Sequence, residues 1–387
     1  MEVKKLKECC TIIAGQSPES KYYNSNGDGL PFFQGKADFG ELYPSIRVYC
    51  SQPTKIAEKD DILLSVRAPV GPTNLAPCKV CIGRGLTAIR PSEVLLTRYV
   101  LLFFRYFEAQ LASKGTGTTF KAITQDVVKN LEIPIPPLPE QERIVARIEE
   151  LFSQLDAGVE TLEKTKAQLV VYRQAVLKEA FEGDYPRKQL KEFSKAISGF
   201  AFKSSRYSPG GNYVVVKIGN VKERHFDFSR DLTKTLEADD SILEKYLLRR
   251  GDCLITLTGS RGKRDYGFVA MVGNQNNYLL NQRVAALRFD QSVALPEFFQ
   301  YYLASPSYRD MFFGYETGNV GQGNVGIKAL LDPYVILPDI DTQKRIVEDV
   351  EDRLSVCDSI EQTVDTALQQ AEAMRQSILK DAFEGRL

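Results

Sequence analysis

The sequence has little on which metal or redox chemistry could be built. Its 387 residues include a single histidine, His225, in a charged segment without an evident partner. The seven cysteines are an odd number without the spacing of a disulfide framework, which favours reduced thiols. Cys78 and Cys81 form one CxxC pair without a second pair. The sequence therefore predicts neither a zinc site nor a thioredoxin-like redox site.

Long apolar runs and a net charge are also missing. No segment approaches the roughly 18 consecutive apolar residues of a membrane helix. The opening MEVKKLKECC lacks the apolar stretch of a signal peptide. We therefore expect a cytoplasmic protein that does not contact a membrane. Fifty basic and fifty acidic side chains cancel, and taken over the whole chain this neutrality argues against a generic nucleic-acid binder.

The sequence contains no recognisable catalytic motif. Residues 321–326 match the letters of GxGxxG, but no strand–turn–helix unit surrounds them and Pro333 cuts off any following helix. We interpret this segment as a flexible loop. A Walker lysine pattern, a nuclease carboxylate motif and an amino-methyltransferase motif are all absent from the sequence.

Two stretches of the chain repeat each other. Residues 141–183 align without a gap on residues 343–385, and 17 of the 43 positions are identical, including QxRIV at the start and AFEG at the end. A weaker match, DILLS on DCLIT, places residues 61–65 on residues 252–256. A period of about 200 residues is far too long for a solenoid unit, so we interpret the pattern as a domain duplication.

The variable parts of the duplication, residues 1–137 and 185–337, are predicted to be compact α+β domains. Short β-rich runs alternate in both with loops rich in Gly, Pro and Asn. Strands are expected at residues 61–66, 213–218, 252–257 and 284–289. Helices are expected at residues 97–112 and 296–311.

The similar parts, residues 138–184 and 338–387, are predicted to be two long helices that form an antiparallel coiled coil. Apolar residues recur at heptad spacing in both. The predicted pairing residues are Ile148, Leu155, Leu162, Leu169, Val176, Val350, Val364, Ala371 and Ile378. A second line of the seam is expected at Ile144, Leu151, Tyr172, Ile346, Ile360, Ala367 and Met374. The alternative is that each helix packs only on its own domain.

The charge is segregated along the chain. Divided at these boundaries, the four segments carry net charges of +4, −4, +6 and −6 in chain order. Charges in solution act over a Debye length of about 8 Å, so a ligand at one domain is affected by that domain and not by a distant helix. The basic excess of the two domains is compatible with phosphate contacts.

Loops that follow the predicted strands carry side chains able to contact DNA. Arg and Lys pair with guanine and with phosphates, and Asn and Gln pair with adenine. Corresponding loops of the two copies differ in these residue types, as the reading of two different sequences would require. The alternative is solvated surface loops. The candidate DNA-binding residues are Gln34, Lys36, Arg67, Lys121, Lys203, Arg206, Lys217, Asn220, Arg261, Lys263, Arg264 and Lys328.

The run IPIPPLPEQERIV at residues 133–145, followed by a heptad helix ending in KEAFEG, resembles the first central repeat of the specificity (S) subunit of type I restriction–modification systems. The second copy, from QKRIV to KDAFEG, resembles its second repeat. The resemblance covers the whole chain: target-recognition domain, helix, target-recognition domain, helix. The second copy departs from the pattern, because it keeps only Gln343 of the LPEQ motif and Arg353 interrupts its seam.

The resemblance implies a non-catalytic subunit that reads DNA. Each recognition domain would read one half of a bipartite target in double-stranded DNA, and the helices would set the spacing and dock two methyltransferase subunits. Those partners would bring S-adenosylmethionine, and restriction subunits would bring ATP and Mg²⁺ chemistry, so no cofactor is expected in this chain. A coiled-coil protein-interaction scaffold without DNA readout is the alternative. A self-sufficient enzyme such as a nuclease is disfavoured by the missing motifs.

Overall fold

The chain forms two compact units, each made of one predicted domain and a part of both long helices. The first unit comprises residues 1–163 and 365–387, and the second comprises residues 164–364. The computed structural model describes residues 2–115, 122–208, 210–229, 234–235, 238–318 and 321–387.

The first domain is mixed, as predicted. Its strands are β1 (Glu2–Lys5), β2 (Cys10–Ala14), β3 (Tyr23–Asn24), β4 (Leu30–Phe33), β5 (Tyr49–Cys50), β6 (Ile56–Ala57), β7 (Ile62–Ser65), β8 (Thr73–Leu75), β9 (Val80–Ile82), β10 (Leu86–Pro91) and β11 (Glu132–Ile135). Its helices are α1 (Leu6–Cys9), α2 (Thr97–Ser113) and α3 (Gln125–Lys129), and the long helix α4 (Leu138–Ala180) follows.

Two sheets build the first domain. The main sheet is antiparallel, with the strand order β2-β10-β7-β8. The second sheet has the order β3-β5-β4-β9-β6, and β4 pairs with β9 in parallel. β7 is buried on both faces: Ile62 and Leu64 lie in the core with α2, and Leu63 lies in the core with the second sheet. This double burial explains why β7 is a continuous apolar run and not an alternating one.

The second domain repeats this arrangement. Its strands are β12 (Arg187–Gln189), β13 (Ser194–Ser198), β14 (Tyr213–Val216), β15 (Lys234–Thr235), β16 (Cys253–Thr256), β17 (Thr258–Ser260), β18 (Val269–Met271), β19 (Tyr278–Leu280), β20 (Val284–Phe289), β21 (Gln322–Asn324) and β22 (Tyr334–Ile336). Its helices are α5 (Asp240–Tyr246), α6 (Pro296–Ala304), α7 (Pro306–Gly314) and α8 (Ile327–Leu331), and the long helix α9 (Ile340–Phe383) follows.

The strand orders of the two domains correspond. The main sheet of the second domain is β13-β20-β16-β18, and its second sheet is β15-β14-β19 with β14 parallel to β19. Edge pairs β1–β11 and β12–β22 join the start and the end of each domain. The pair β17–β21 has no counterpart among the described strands of the first domain. The domain duplication predicted from the sequence is confirmed by this shared topology.

One predicted helix is interrupted. The expected helix at residues 296–311 is two helices, α6 and α7, separated at Ser305. The extended backbone of Ser305 ends α6, and its hydroxyl accepts a hydrogen bond from the Tyr308 backbone N–H at 3.3 Å, which makes it the N-cap of α7. Pro306 occupies the first helical position, where its missing N–H costs nothing.

The two long helices pair antiparallel within each unit. In the first unit, Arg375 of α9 forms an ion pair with Asp156 of α4. In the second unit, Arg173 of α4 binds Asp358 of α9 at 2.6 Å, and Glu179 of α4 binds Arg353 of α9 at 2.9 Å. As the residue number increases along α4, the number of the contacting residue on α9 decreases, as an antiparallel pair requires. The ion pair of Arg353 also shows that this residue contributes to the pairing it was expected to interrupt.

The first predicted line of the helix seam is inward-facing, and the second is displaced by one residue at three of its seven positions. The nine predicted pairing residues are all buried or half-buried. Of the second line, Tyr172, Ile360 and Met374 are exposed. The next residue takes that place at each of these three positions: Arg173 on α4, and Glu361 and Arg375 on α9, are half-buried. The displacement follows from each helix packing on its domain as well as on its partner.

A buried glutamine fastens the start of each long helix. The Gln141 side chain accepts a hydrogen bond from the Leu96 N–H at 2.8 Å and donates to the Val94 and Pro136 carbonyls at 2.8 and 2.9 Å. The Gln343 side chain makes the corresponding three bonds, to Leu295, Val293 and Pro338. These bonds explain why this glutamine is the residue of the LPEQ motif that the second copy keeps.

An ion pair between a buried carboxylate and a partly exposed arginine stabilises one end of each main sheet. Asp61, just before β7, binds the Arg90 guanidinium with both oxygens at 2.8 and 2.7 Å. Asp252, just before β16, binds Arg288 in the same way at 2.7 and 2.6 Å. The bidentate geometry fixes the register of the central strands at this end. At the opposite end of each sheet, loops connect the strands.

Candidate nucleic-acid interface

The topology gathers several predicted DNA-binding residues at one end of the first domain. β4, β7 and β9 end there and β10 begins there, as the pairs Phe33↔Ile82 and Ser65↔Leu86 show. Gln34 follows β4, Arg67 follows β7, and both side chains are exposed. Residues far apart in the sequence therefore lie on neighbouring strand ends.

Lys36 lies close to an internal carboxylate. It begins a short 3₁₀ turn after β4 and is exposed. Burial raises the pKa of the Glu108 carboxyl on α2, and the positive charge of Lys36 partly offsets that rise. Part of the positive charge of Lys36 is therefore balanced by a carboxylate of its own domain. Lys121, another candidate, lies outside the described residues.

The equivalent end of the second domain carries more basic residues. β14 and β19 end there together, at Val216↔Leu280, and β16 ends opposite the start of β20, at Thr256↔Val284. Lys203 is exposed and Arg206 is half-buried in the segment after β13. Lys217 follows β14, with its ammonium 4.9 Å from the centre of the Tyr207 ring.

The loop between β16 and β18 is fixed by a buried tyrosine and by hydrogen bonds from an arginine. The ring of Tyr266 is fully buried, and its hydroxyl donates to Glu316 at 2.6 Å. Burial and the Glu316 carboxylate raise the pKa of Tyr266. The Arg309 guanidinium donates to the Gly267, Arg264 and Tyr266 carbonyls at 2.8, 3.1 and 3.1 Å. The loop is therefore an ordered surface element.

Two of the three basic residues predicted on this loop are already paired. Arg261 donates to the Gly318 carbonyl at 3.1 Å and lies 3.6 Å from the Glu316 carboxylate. Arg264 forms an ion pair with Asp310 at 3.0 Å and stacks on Phe313. Lys263 is exposed, and in the described part of the chain its side chain forms no hydrogen bond or ion pair, although after the hydrogen bonds from Ser260 its charge helps to lower the pKa of Asp265. Lys263 is thus the loop's available cation.

Two other candidates lie away from this arrangement. Asn220 is buried: its side chain accepts from the Lys217 N–H at 2.9 Å and donates to the Asp227 carbonyl at 3.0 Å. Its amide therefore holds the loop, and burial contradicts the prediction that it contacts a base. Lys328 is exposed on α8, which packs along β13 towards the turn that precedes that strand.

Sequence reasoning missed three exposed side chains at the centre of these strand ends. Arg84 lies between β9 and β10, and Gln282 and Arg283 lie between β19 and β20. Both connections are three residues long. The available signal was the match of AIR at residues 88–90 with ALR at residues 286–288, because it places the two connections at equivalent positions.

The described residues show neither a metal-binding cluster nor a membrane-spanning helix. No group of three or more His, Cys, Asp or Glu residues suited to a metal ion occurs among the described residues. His225 is exposed and contacts the Glu223 carbonyl through Nδ1 at 3.0 Å. Within the part of the chain that the structure describes, none of the helices has both the length and the apolar character that crossing a bilayer requires.

Comparison with known proteins places this architecture in a family. The sequence profile of the type I restriction modification DNA specificity domain matches twice, at residues 1–169 and 182–370. A Methanocaldococcus jannaschii protein, provisionally assigned as the type I restriction enzyme MjaX specificity subunit, is 42% identical over 163 residues, which span 41% of this chain and 38% of that protein.

A second relative and a solved structure match over more of the chain. The EcoKI type I restriction enzyme specificity subunit of Escherichia coli K12 is 27% identical over 332 residues, 80% of this chain and 70% of its own length. A chain from a structure on complex assembly and conformational transition of the type I R-M system aligns over 100% of this chain and 98% of its own, with a TM-score of 0.76 and 21% identity. The chain therefore belongs to the family of type I restriction–modification DNA specificity subunits, which confirms the family predicted from its sequence.

Proposed function

We propose that this chain supplies sequence recognition to a type I restriction–modification complex, with each domain reading one half of a bipartite, asymmetric target in double-stranded DNA. The observation that carries the proposal is one scaffold used twice with different side chains at equivalent strand ends. The first domain presents Gln34 and Arg67 there, and the second presents Lys203, Lys217 and Lys263. Two different half-sites require such a difference.

The helix pair is the proposed docking surface for methyltransferase subunits. In the second unit, α4 exposes Val170 and Val171, and α9 exposes Val356 and Ile360. Several exposed apolar side chains on one pair of helices favour a protein-binding site. Two methyltransferase subunits and restriction subunits are the proposed partners, and S-adenosylmethionine, ATP and Mg²⁺ are proposed to bind to them. The helices would also set the gap between the half-sites.

The proposal is tested by producing the chain together with the methyltransferase subunit of its own restriction–modification system and sequencing the methylated DNA. The expected result is one bipartite motif with two defined halves and a gap of constant length. A complex that binds DNA without sequence preference, or that methylates one uninterrupted motif, would contradict the proposal.

The same preparation separates the other two readings of the sequence. A protein-interaction scaffold predicts that the assembled complex binds DNA weakly and without the steep salt dependence of phosphate contacts. A self-sufficient enzyme predicts that the purified chain, given Mg²⁺, ATP and S-adenosylmethionine, cleaves or methylates DNA alone. We expect neither result.

A further inference from the structure

The two three-residue connections, residues 83–85 and 281–283, pass from the second sheet of each domain to its main sheet. Neighbouring backbone lies close against both. A Cβ atom on Gly15 would overlap the Gly83 carbonyl, and one on Gly199 would overlap the Asn281 carbonyl. Glycine at both positions is therefore required by the close approach, which explains why the two glycines correspond in the duplicated sequence.

The backbone of each connection is hydrogen-bonded inward. In the first domain, the Gly83 N–H donates to the Phe33 carbonyl at 2.8 Å, and the Gly85 carbonyl accepts from Val66 at 3.0 Å. In the second, the Gln282 N–H donates to Phe200 at 3.1 Å, and the Arg283 carbonyl accepts from Leu257 at 3.1 Å. With the main chain fixed in this way, the exposed side chains of Arg84, Gln282 and Arg283 project from a rigid base.

In the second domain these side chains line a polar cleft. Gln282 and Arg283 form one side, and Thr258 of β17 with Gln322 and Asn324 of β21 forms the other. Among the described residues, none of these five side chains makes a hydrogen bond or ion pair. Arg261 and Arg264, by contrast, are paired with carboxylates. A guanidinium without a partner contacts a base without first giving up an ion pair, and amide groups beside it supply both donors and acceptors.

We propose that the connections 83–85 and 281–283 carry the main base-contacting side chains of the two domains: Arg84 in the first, and Gln282 with Arg283 in the second. This inference rests on the proposed function. Arginine binds the O6 and N7 atoms of guanine in the major groove, and glutamine binds the N6 and N7 atoms of adenine. The half-site read by the second domain therefore contains a G·C pair that Arg283 recognises, and the other half-site contains one that Arg84 recognises.

The test uses the intact complex with its methyltransferase. Arg283→Ala and Arg84→Ala are compared with the unchanged complex, by mapping the methylated sequence and by measuring binding to a duplex that carries it. One lost bidentate contact is expected to weaken specific binding roughly 5- to 150-fold. Each variant should relax one G·C position in one half of the motif and leave the other half unchanged.

Matched controls are available in the same domain. Arg250 is an exposed arginine directly before the turn into β16, at the opposite end of the sheet, and Arg250→Ala should leave motif and affinity unchanged. Arg261→Ala tests the neighbouring loop. If Arg283→Ala retains the motif while Arg261→Ala alters it, the connection is not the base-contacting element, although the proposed function stands. If the unchanged complex methylates no bipartite motif, the proposed function fails and the inference fails with it.

Gln282→Ala is an independent test of the same connection, because the exposed Gln282 side chain has no structural role in the described part of the chain. A relaxed A·T position beside the one affected by Arg283→Ala supports the inference. An unchanged motif in both variants, with gel filtration showing normal assembly, overturns it.

Discussion

Gln141 and Gln343 show how one buried amide fixes the entry of a long helix. Each side chain, completely buried, satisfies one N–H and two carbonyls of the segments that converge on the helix start. Unpaired polar groups in such a place are costly, at about 1–3 kcal/mol for each. The same three bonds in both copies explain why the glutamine is kept while the rest of the motif changes.

Gln343→Ala is therefore expected to lower the free energy of unfolding by about 2–4 kcal/mol, since it leaves the Leu295 N–H and two carbonyls without partners. Denaturant unfolding followed by circular dichroism measures this change. Gln154→Ala, at an exposed position of α4, is the matched control and should change stability by less than about 0.5 kcal/mol. Equal effects of the two substitutions would show that the three bonds contribute nothing to stability.

The ion pair between Asp252 and Arg288 leads to a second prediction at this scale. The Asp252 side chain is almost completely buried and accepts both hydrogen bonds of the guanidinium. Asp252→Ala leaves Arg288, which is 29% exposed, without its carboxylate and the Arg249 N–H without its acceptor, and is expected to cost about 2–3 kcal/mol. The exposed pair Arg147–Glu150 is the control, and Glu150→Ala should cost less than about 1 kcal/mol. Thermal unfolding of the two variants tests the difference.

Single polar residues in loops were the least predictable feature. Asn220 and Gln282 are both amides that follow a strand, and the sequence does not distinguish them. The structure does, because the Asn220 amide is consumed by the backbone around it and the Gln282 amide is exposed. Whether a loop side chain points inward depends on the backbone conformation of the loop, which brings Lys217 and Asp227, three and seven residues away, to the Asn220 amide. The pattern of apolar and polar residues in the sequence does not predict this conformation.

At the scale of elements, prediction succeeded where the apolar pattern is regular, either unbroken in strands or repeated every seven residues in helices. The strands β7 and β16 were recognised because both faces are buried, which produces an unbroken apolar run. The long helices were recognised from their heptads. The prediction of one continuous helix at residues 296–311 was wrong, because Ser305 and Pro306 begin a second helix within the same apolar stretch. The helix seam was displaced at three positions of one line, because contacts with the domains add to the contacts between the helices.

A pair of valines on α9 tests the seam. Val350 is fully buried and Val356 is 60% exposed, on the same helix and six residues apart. Val350→Asp buries a charge in the core of the second unit and is expected to unfold that unit or to destabilise it by more than about 3 kcal/mol. Val356→Asp should leave the fold unchanged and weaken methyltransferase binding instead. Limited proteolysis and co-purification separate the two effects, and the reverse pattern would place the buried face of α9 elsewhere.

At the scale of the whole molecule, the compact units do not coincide with the sequence repeats. The first unit needs two separate stretches of chain: Phe383, near the end of α9, packs against Tyr99, Phe103 and Tyr106 of α2. The second unit is continuous in sequence, from residue 164 to residue 364. Its core includes Val176 and Leu177 of α4 as well as Val350 and Leu354 of α9. The net charge changes sign at the boundaries of the sequence repeats, whereas the hydrophobic cores are separated at the boundaries of the compact units.

A fragment of residues 164–364 is therefore expected to fold by itself and to unfold in one cooperative thermal transition. The shorter fragment 185–337, which matches the predicted domain, lacks the parts of both helices that complete the core. Each buried apolar side chain contributes roughly 1.5–3 kcal/mol, so the loss of several such side chains approaches the whole stability of an ordinary domain. Circular dichroism melts of the two fragments decide the point. If the shorter fragment melts as cooperatively and at the same temperature, the helices are spacers attached to complete domains. A lower and broader transition, as we expect, means that each helix is a structural part of the domains it connects.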